Sequence, residues 1–320
     1  MNDVKLIFGT MTIGEQIFGK NATEIIKYCV DNGIEELDTA YVYNEGECER
    51  IIGKSLKELG YPEIKVSTKV NPRISGKLDY DAAVTQLNES LERLGIKKAD
   101  TFYLHFPDRN TPVDSVLEAC NMLYNEGKFK KLGLSNFPAE LVCEVYEKCK
   151  ERGFLLPTVY EGLYNPLSRK AEDELFETLR NLNIRFYAYN PLAGGLLTNK
   201  YSSFEDSPEK GRFTYRPNYQ NRYWKKSFFE ASDLLKEVCK CEGISIIEAT
   251  YRWLMYHSAL SRGDAIIIGA SSLSQLEQNI RASQKGPLSE KFIDAFEKAW
   301  EKTKLDAPEY FKFYSASEKR

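Results

Sequence analysis

Eight short apolar runs alternate with amphipathic stretches along this chain, and that alternation limits the possible fold more than any other feature. Each run has the length and the β-branched and aromatic content of a buried strand. The runs occupy residues 5–10, 35–38, 65–69, 101–105, 131–135, 158–161, 185–190 and 265–269. Strands that are each followed by a crossover form a parallel sheet, and eight such units in 320 residues predict an α/β fold, a (β/α)8 TIM barrel.

The stretches between the runs repeat apolar residues at helical spacing, and several end at a glycine that suits the residue after a helix. They occupy residues 22–32, 79–94, 114–126, 139–151, 172–182 and 275–284. No linker rich in proline or serine divides the chain, so we predict a single domain over residues 1–320. The Gly-x-Gly-x-x-Gly fingerprint of an open dinucleotide-binding sheet does not follow the first run.

The longest interval between two runs separates the last two. We predict that it holds a long loop at about residues 195–223 and two helices at 224–241 and 245–257. A further helix at 289–303 and a C-terminal tail follow the last run. Long loops on the catalytic face of a barrel usually cover a ligand, so we expect this loop to form part of a binding site.

The composition excludes several classes of function. With 44 basic and 47 acidic residues the net charge is −3, which does not favour nucleic acid or an anionic membrane as a partner. The first residues lack the basic region of a signal peptide, and no stretch has the ~18 apolar residues of a membrane span. The seven cysteines show no metal-binding spacing, so we expect no metal site and a cytoplasmic protein with reduced thiols.

Four polar residues at or just after consecutive strand ends form the candidate catalytic group. They are Asp38, Tyr43, Lys69 and His105, and the chain has only two histidines in all. A nearby ammonium lowers the pKa of a tyrosine, so Lys69 would make Tyr43 a better acid. Asp38 would hold Lys69, and His105 would orient a carbonyl group. Because the barrel brings the strand ends to one face, these residues predict a carbonyl-reducing site. The alternative for Asp38 and Lys69 is a structural salt bridge.

Two further strand ends carry groups that suit a cofactor. Ser135 and Asn136 in "GLSNF" offer a hydroxyl and an amide that could bind a carboxamide, with a tight turn or a helix cap as the alternative. Gly194 and Gly195 in "NPLAGGLLTNKY" would let backbone amides approach a phosphate, although Gly-Gly is common in turns.

Two segments near the C-terminus suit anions. Ser271 and Ser272 in "GASSLSQLEQNI" would open a helix whose N-terminus binds a phosphate, with simple N-capping as the alternative. Residues 210–226 carry six basic residues and no acidic ones, interleaved with aromatic residues. Such a segment has three interpretations: a nucleic-acid-binding segment, a solvated loop, or a loop that clamps a phosphate and a carboxylate substrate. The acidic charge of the whole chain favours the clamp.

The motifs "DTAYVYNEGECE", "STK", "FYLHFPD", "GLSNF", "YNPLAGGLLTNKY" and "GASSLSQLEQN" resemble the aldo-keto reductases. The similarity covers about residues 5–312 and is greatest to the aflatoxin aldehyde reductase subfamily, which also reduces succinic semialdehyde. This resemblance implies a barrel that binds NADPH or NADP⁺ without a Rossmann domain, and a homodimer. It also implies that Tyr43 is the proton donor, with Asp38, Lys69 and His105 around it.

The resemblance also implies the residues of the binding site. Those that would bind the cofactor are Asp38, Ser135, Asn136, Glu161, Asn190, Pro191, Leu192, Ala193, Gly194, Gly195, Leu196, Leu197, Lys200, Arg212, Ser271, Ser272, Gln275, Gln278 and Asn279. Those that would meet the substrate are Met11, His105, Tyr219, Arg222 and Lys312.

The chain departs from the family pattern in three places. Glu161 stands where the family has glutamine, and an ionised carboxylate would favour the cationic, oxidised nicotinamide. Lys312 stands where the subfamily has arginine, and an ammonium grips a carboxylate less well than a guanidinium does. The segment 271–279 carries no basic residue, so recognition of a 2′-phosphate would fall to Arg212 or Lys200.

The leading hypothesis is therefore an NADPH-dependent reductase of small aldehydes or ketones, including compounds like aflatoxin dialdehyde or succinic semialdehyde. The alternative is a cofactor-binding regulatory subunit on the same barrel, like the potassium-channel β subunits, because a fold alone does not decide function. The intact group of four residues favours the enzyme. A nucleic-acid binder acting through residues 210–226 is the third and weakest hypothesis.

Overall fold

In the computed structural model, which describes residues 4–61, 63–206, 208 and 211–315, the strands form a closed parallel barrel in sequence order. The predicted (β/α)8 barrel is confirmed, and β1 pairs with β8 to close it. The strands are β1 (Lys5–Gly9), β2 (Glu36–Asp38), β3 (Lys65–Val70), β4 (Ala99–Leu104), β5 (Phe129–Ser135), β6 (Pro157–Leu163), β7 (Arg185–Tyr189) and β8 (Ala265–Gly269).

The helices surround the barrel, with additional ones after β7 and after β8. They are α1 (Gly19–Asp31), α2 (Glu47–Leu59), α3 (Pro72–Ser75), α4 (Tyr80–Leu94), α5 (Val113–Asn125), α6 (Ala139–Glu151), α7 (Leu175–Asn181), α8 (Arg212–Tyr215), α9 (Asn218–Tyr223), α10 (Lys226–Glu242), α11 (Ile246–Tyr256), α12 (Leu273–Ser283) and α13 (Glu290–Thr303). None of the helices within the described ranges is long and apolar enough to span a membrane.

Most strand and helix positions agree with the prediction, and the differences are local. The predicted helices did not include α2, although its buried Cys48, Ile52 and Leu56 follow helical spacing and Gly60 ends it in a left-handed conformation. The long loop after β7 contains the short helices α8 and α9 rather than one extended segment. Of the predicted tail, residues 316–320 lie outside the described part of the chain, as do residues 207, 209 and 210 of the predicted loop.

Two apolar layers hold the barrel together. The larger packs the outer face of the strands against the surrounding helices, as an all-parallel sheet requires. A smaller cluster fills the barrel interior with residues from β1, β4, β6, β7 and β8, namely Ile7, Tyr103, Val159, Tyr187, Ala265 and Ile267. This cluster leaves a cavity open at the carboxyl ends of the strands, where the polar strand-end residues lie.

The close contact between α2 and α4 gives a test of the packing. A Cβ atom on Gly53 would lie 2.6 Å from the carbonyl oxygen of Arg93 and 2.7 Å from that of Leu94. We expect Gly53→Ala to lower the free energy of unfolding by about 2 kcal/mol, because the clash outweighs alanine's better helix propensity. Urea denaturation would measure this change.

The matched control is Gly286→Ala, where an added Cβ meets nothing within 4 Å. Its free energy of unfolding should stay within about 0.5 kcal/mol of the parent protein. Equal unfolding midpoints for the two variants would contradict the packing described for α2.

Candidate active site

The barrel brings the four predicted catalytic residues to one place. Asp38 ends β2, Lys69 lies near the end of β3, and His105 directly follows β4. Tyr43 lies in the turn between β2 and α2, with its ring centroid 5.6 Å from Lys69 Nζ and 6.1 Å from the ring of His105. These side chains come from three successive strand ends, which a parallel barrel places side by side.

The ammonium of Lys69 is fully buried and is held by oxygen atoms on several sides. Its Nζ donates to Asp38 Oδ1 at 2.5 Å and to the carbonyl oxygen of Thr39 at 2.8 Å. Glu161 Oε2 lies 3.2 Å from the same nitrogen. Burial by itself lowers the pKa of Lys69, but the two carboxyl groups outweigh burial, so the pKa is raised and the lysine stays charged.

The phenol of Tyr43 keeps its proton at neutral pH. Burial raises the pKa of Tyr43 above its ordinary value, and although Lys69 lowers it, the carboxyl groups of Asp38 and Glu161 raise it further. The effect of Lys69 on this pKa has the predicted direction, but burial outweighs it and the net shift is upward. The sequence shows the neighbouring lysine but not the extent of enclosure, which here is the larger effect.

The turn that carries Tyr43 is fixed by contacts with distant parts of the chain. Asn44 adopts a left-handed conformation (φ 50°), and its Nδ2 donates to the carbonyl oxygen of Ile13 at 2.6 Å. Arg216 donates to Asn44 Oδ1 at 2.8 Å and pairs with Glu15 at 2.6 Å. The loop after β7 is thus tied to both the first loop of the barrel and the tyrosine turn.

The tautomer of His105 follows from its neighbours. The main-chain N–H of Arg73 donates to Asn71 Oδ1, so the amide nitrogen of Asn71 must donate to His105 Nδ1, at 3.0 Å. The His105 proton therefore lies on Nε2. Gln86 exchanges two hydrogen bonds with the main chain of Asn71 and holds it in place. Burial, with the charges of Lys69 and Arg73, keeps the pKa of His105 well below its usual value.

A cavity of about 1790 Å³ extends from these residues across the carboxyl ends of the strands. This exceeds the ~1,000 Å³ of a large small-molecule pocket, and so suits a ligand as long as a dinucleotide together with a substrate. The predicted residues on its wall are Met11, Asp38, Tyr43, His105, Ser135, Asn136, Glu161, Asn190, Pro191, Leu192, Gly194, Gly195, Lys200, Arg212, Tyr219, Arg222, Ser271, Gln275, Gln278, Asn279 and Lys312.

Five predicted site residues do not lie on this wall. Lys69 is behind it, where it supports Asp38 and Tyr43. The side chains of Ala193, Leu196 and Leu197 are buried in the hydrophobic core, so they support the loop after β7 from behind. Ser272 caps α12, with its Oγ accepting from a main-chain N–H in the first turn.

One end of the cavity offers hydrogen-bonding groups for a carboxamide. Asn136 has a left-handed backbone (φ 62°), and its Nδ2 donates to the carbonyl oxygen of His105 and to Ser135 Oγ. The hydroxyl of Tyr189 donates to Asn136 Oδ1 at 2.7 Å and orients the amide. The sequence prediction did not name Tyr189, Asn71 or Arg216 as site residues. Tyr189 carried a signal as the aromatic end of a strand, and Arg216 as part of the basic segment 210–226.

The loop after β7 is a series of tight turns. Asn190, Ala193, Gly194 and Gly195 all have positive φ, and the main-chain N–H groups of Ala193 and Gly195 donate to the carbonyl oxygens of Asn190 and Leu192. A side chain on Gly194 would crowd the ring of Tyr219 at 3.0 Å, so this position needs glycine for close approach as well as for its conformation.

Two cations lie on the wall beyond this loop. Lys200 and Arg212 are both on the wall, and the Nζ of Lys200 packs against Gly211, which has φ 102° and no side chain to displace it. Nη1 of Arg212 is buried and has no hydrogen-bond partner in the described part of the chain. An orphaned guanidinium nitrogen is a fitting donor for a phosphate, so the residues present suit an anionic cofactor.

The first turn of α12 satisfies its own amides through side chains. The hydroxyl of Ser272 accepts from the N–H of Gln275 at 3.4 Å, and Gln275 Oε1 accepts from the N–H of Ser271 at 3.0 Å. The N-capping alternative raised for this segment is therefore realised. Ser271 and Gln275 nevertheless remain on the cavity wall, within reach of a phosphate.

The mouth of the cavity is positively charged. Arg73, Arg222 and Lys312 all contribute to its wall, and the guanidinium of Arg222 lies 5.3 Å from the ring centroid of Tyr219. The main-chain N–H of Lys312 donates to the carbonyl oxygen of Asn136, which fixes the C-terminal segment against the site. The described residues contain no cluster of His, Cys, Asp and Glu that could hold a metal ion.

Comparisons with known proteins identify the family. The sequence model of the Aldo/keto reductase family matches residues 5–301. The chain is 43% identical to human "Aldo-keto reductase family 7 member A3", over 96% of each chain. It is 42% identical to rat "Aflatoxin B1 aldehyde reductase member 2", over 96% of this chain and 87% of the relative. It is 36% identical to "Oxidoreductase sirO" of Leptosphaeria maculans, over 95% of this chain and 96% of that protein.

The hydrogen bonds of the two histidines predict opposite tautomers. His105 Nδ1 accepts from Asn71, whereas His257 Nε2 accepts from the N–H of Leu288 at 2.8 Å. We expect ¹⁵N NMR to show His105 as the Nε2–H form, neutral at pH 6 because its pKa is lowered, and His257 as the Nδ1–H form. Asn71→Ala should leave His257 unchanged and give His105 a mixture of tautomers. An Nδ1–H signal for His105 in the parent protein would contradict the described geometry.

Proposed function

Because the chain belongs to the aldo/keto reductase family, we propose that it reduces aldehydes to alcohols with NADPH, and that Tyr43 donates the proton. The protein is an oxidoreductase of that family, and its barrel has the cavity and the charge pattern that such a reaction needs. The observation that carries the proposal is the meeting of a protonated Tyr43, a buried Lys69–Asp38 pair and a neutral His105 on one cavity wall.

Each of these residues has a defined task in the reduction. Reduced nicotinamide, when bound, supplies the hydride to the carbonyl carbon. Tyr43 gives its proton to the carbonyl oxygen, and the ammonium of Lys69 stabilises the phenolate that remains. His105 donates a hydrogen bond from Nε2 to the same oxygen and fixes its approach. Asp38 keeps Lys69 charged and in position.

The cofactor would extend across the cavity from the carboxamide-binding end to the cationic end. Ser135 and Asn136 would bind the carboxamide, and the loop after β7 would lie close to the phosphates where Gly194 and Gly195 have no side chain. Lys200 and Arg212 support NADPH over NADH, because a 2′-phosphate would satisfy the orphaned guanidinium nitrogen. Burial lowers the pKa of Lys200, and an added phosphate would raise it again.

The substrate would be a small aldehyde or dicarbonyl, with a preference for an acidic group. Arg222 and Lys312 place positive charge at the mouth, and Tyr219 lies beside Arg222. Residues 211, 212 and 215–222 line the cavity, which favours the clamp interpretation of this basic segment over nucleic-acid binding. The homodimer stays a prediction from the resemblance, and the cytoplasmic location stays a prediction from the cysteine pattern.

Replacing Tyr43 by phenylalanine tests the proton donor. We expect Tyr43→Phe to lower kcat for 4-nitrobenzaldehyde by at least about 10²-fold, followed by NADPH absorbance, because the general acid is lost. Tryptophan fluorescence titration should show NADPH binding close to that of the parent. Tyr187→Phe is the matched control, since Tyr187 is buried in the barrel interior but is not on the cavity wall.

Two results would contradict this assignment. Full turnover by Tyr43→Phe would show that Tyr43 is not the proton donor. Tight NADPH binding by the parent protein without turnover of any aldehyde tried would favour the regulatory subunit, the alternative on the same fold.

Replacing Lys312 by alanine tests recognition of an acidic substrate. We expect Lys312→Ala to raise KM for succinic semialdehyde about fivefold, equivalent to roughly 1 kcal/mol of lost charge attraction. KM for 4-nitrobenzaldehyde should not change, because that substrate carries no carboxylate. Lys304→Ala, at the exposed end of α13, is the control. An unchanged KM for succinic semialdehyde would show that Lys312 does not bind the substrate.

A further inference from the structure

Glu161 is the second carboxyl group beside a single buried ammonium. It lies in β6, opposite Ser135 in the register of β5 and β6, on the cavity wall and 4% exposed. Lys69 is already neutralised by Asp38 at 2.5 Å, and Glu161 Oε2 lies 3.2 Å from the same ammonium. If both carboxyl groups were ionised, the buried group of three would carry an uncompensated negative charge, which a low-dielectric site disfavours.

Glu161 therefore keeps its proton in the unliganded cavity at neutral pH. Burial raises its pKa to about 8, the charge of Asp38 acts in the same direction, and Lys69 offsets only part of the rise. A protonated carboxyl group has one donor and one acceptor, like the amide of a glutamine. This differs from the permanently ionised Glu161 considered from the sequence.

We propose that Glu161 makes the cavity discriminate between the two redox states of a nicotinamide, binding the reduced ring as a neutral acid and the oxidised, cationic ring as a carboxylate. The inference rests on the proposed function, because it needs a nicotinamide beside Ser135 and Asn136. Under this proposal, Glu161 determines how tightly the cavity binds the oxidised cofactor relative to the reduced one.

The proposal has a defined proton balance. When the oxidised cofactor binds, the positive ring stabilises the ionised form of Glu161, and one proton leaves the carboxyl group for the solvent. No other bond forms or breaks. When the reduced cofactor binds, the ring is neutral and Glu161 keeps its proton. Linkage then requires that the oxidised cofactor binds more weakly as the pH falls. The reduced cofactor does not, and above the pKa of about 8 it binds more weakly as the pH rises, because Glu161 must then take up a proton.

The titratable groups that face Glu161 from the neighbouring strands and from the turn after β2 are Asp38, Lys69, Tyr43, Tyr103 and Tyr189. The three tyrosines and the lysine have pKa values raised above already high ordinary values, and the pKa of His105 on the same wall is held well below its usual value. Burial raises the pKa of Asp38 as well, but Asp38 is the carboxyl group that holds the ammonium of Lys69, at 2.5 Å. The carboxyl group that changes charge between pH 6.5 and 9 is therefore Glu161, the one farther from Lys69.

The test measures the dissociation constants of NADPH and NADP⁺ by tryptophan fluorescence between pH 6.5 and 9. The ratio Kd(NADPH)/Kd(NADP⁺) reports the effect of the charge of the nicotinamide ring, because both nucleotides carry the same phosphates. In the parent protein the ratio should rise about tenfold across this range, a typical coupling between two linked sites. Calorimetry at pH 7 in buffers of different ionisation enthalpy should show proton release with NADP⁺ only.

Two glutamate variants complete the experiment. Glu161→Gln should give a ratio that does not change with pH, while both nucleotides still bind. Glu36→Gln is the matched control: Glu36 is also buried with a raised pKa, but it bonds to Ser67 and is not on the cavity wall. It should keep the pH dependence of the parent protein.

Failure of the inference and failure of the proposed function give different results. A flat ratio in the parent protein, which needs no variant to fold, overturns the inference while nucleotide binding itself survives. A ratio in Glu161→Gln that still rises with pH also overturns it. If neither nucleotide binds at any pH, both the inference and the proposed function are wrong.

Discussion

The buried ammonium of Lys69 is the charge on which the rest of the site depends. An unpaired ammonium inside a barrel would cost several kcal/mol, so it is tolerated only with hydrogen-bonding partners on every side. Asp38 and the main chain of Thr39 supply two of these, and both follow directly from the end of β2. The same pairing fixes the ends of β2 and β3 against each other. It also holds a positive charge 5.6 Å from the ring centroid of Tyr43.

Three titratable groups close to this ion pair, Tyr43, His105 and Glu161, are neutral. Burial holds the proton on Tyr43, and it keeps His105 uncharged with its proton on Nε2. Burial and a second carboxylate hold a proton on Glu161. One physical cause, exclusion from water next to a fixed charge, thus gives a proton donor, a hydrogen-bond donor and a group sensitive to the charge of the ligand.

The sequence predicts the barrel and the catalytic group because both depend on local signals. Strand-like runs ending in Asp38, Lys69 and a nearby histidine place polar residues on one face once the strands are parallel. The contact of Asn71 with His105 and that of Arg216 with Glu15 join residues far apart in the chain, and they depend on side-chain rotamers. No local pattern contains that information.

Burial was the other quantity that the sequence could not supply. The adjacent lysine lowers the pKa of Tyr43, but burial raises this pKa by more, so the net shift is upward.

We expect a hydride from the nicotinamide and the proton of Tyr43 to reach the same carbonyl group, and isotope transfer is the measurement that tests this expectation. With NADPH deuterated at the transferred C4 position, in ordinary water, the alcohol from 4-nitrobenzaldehyde should carry one deuterium on its carbinol carbon. Unlabelled NADPH in D₂O should leave that carbon without deuterium, and deuterium gained there from solvent would contradict hydride transfer in this site.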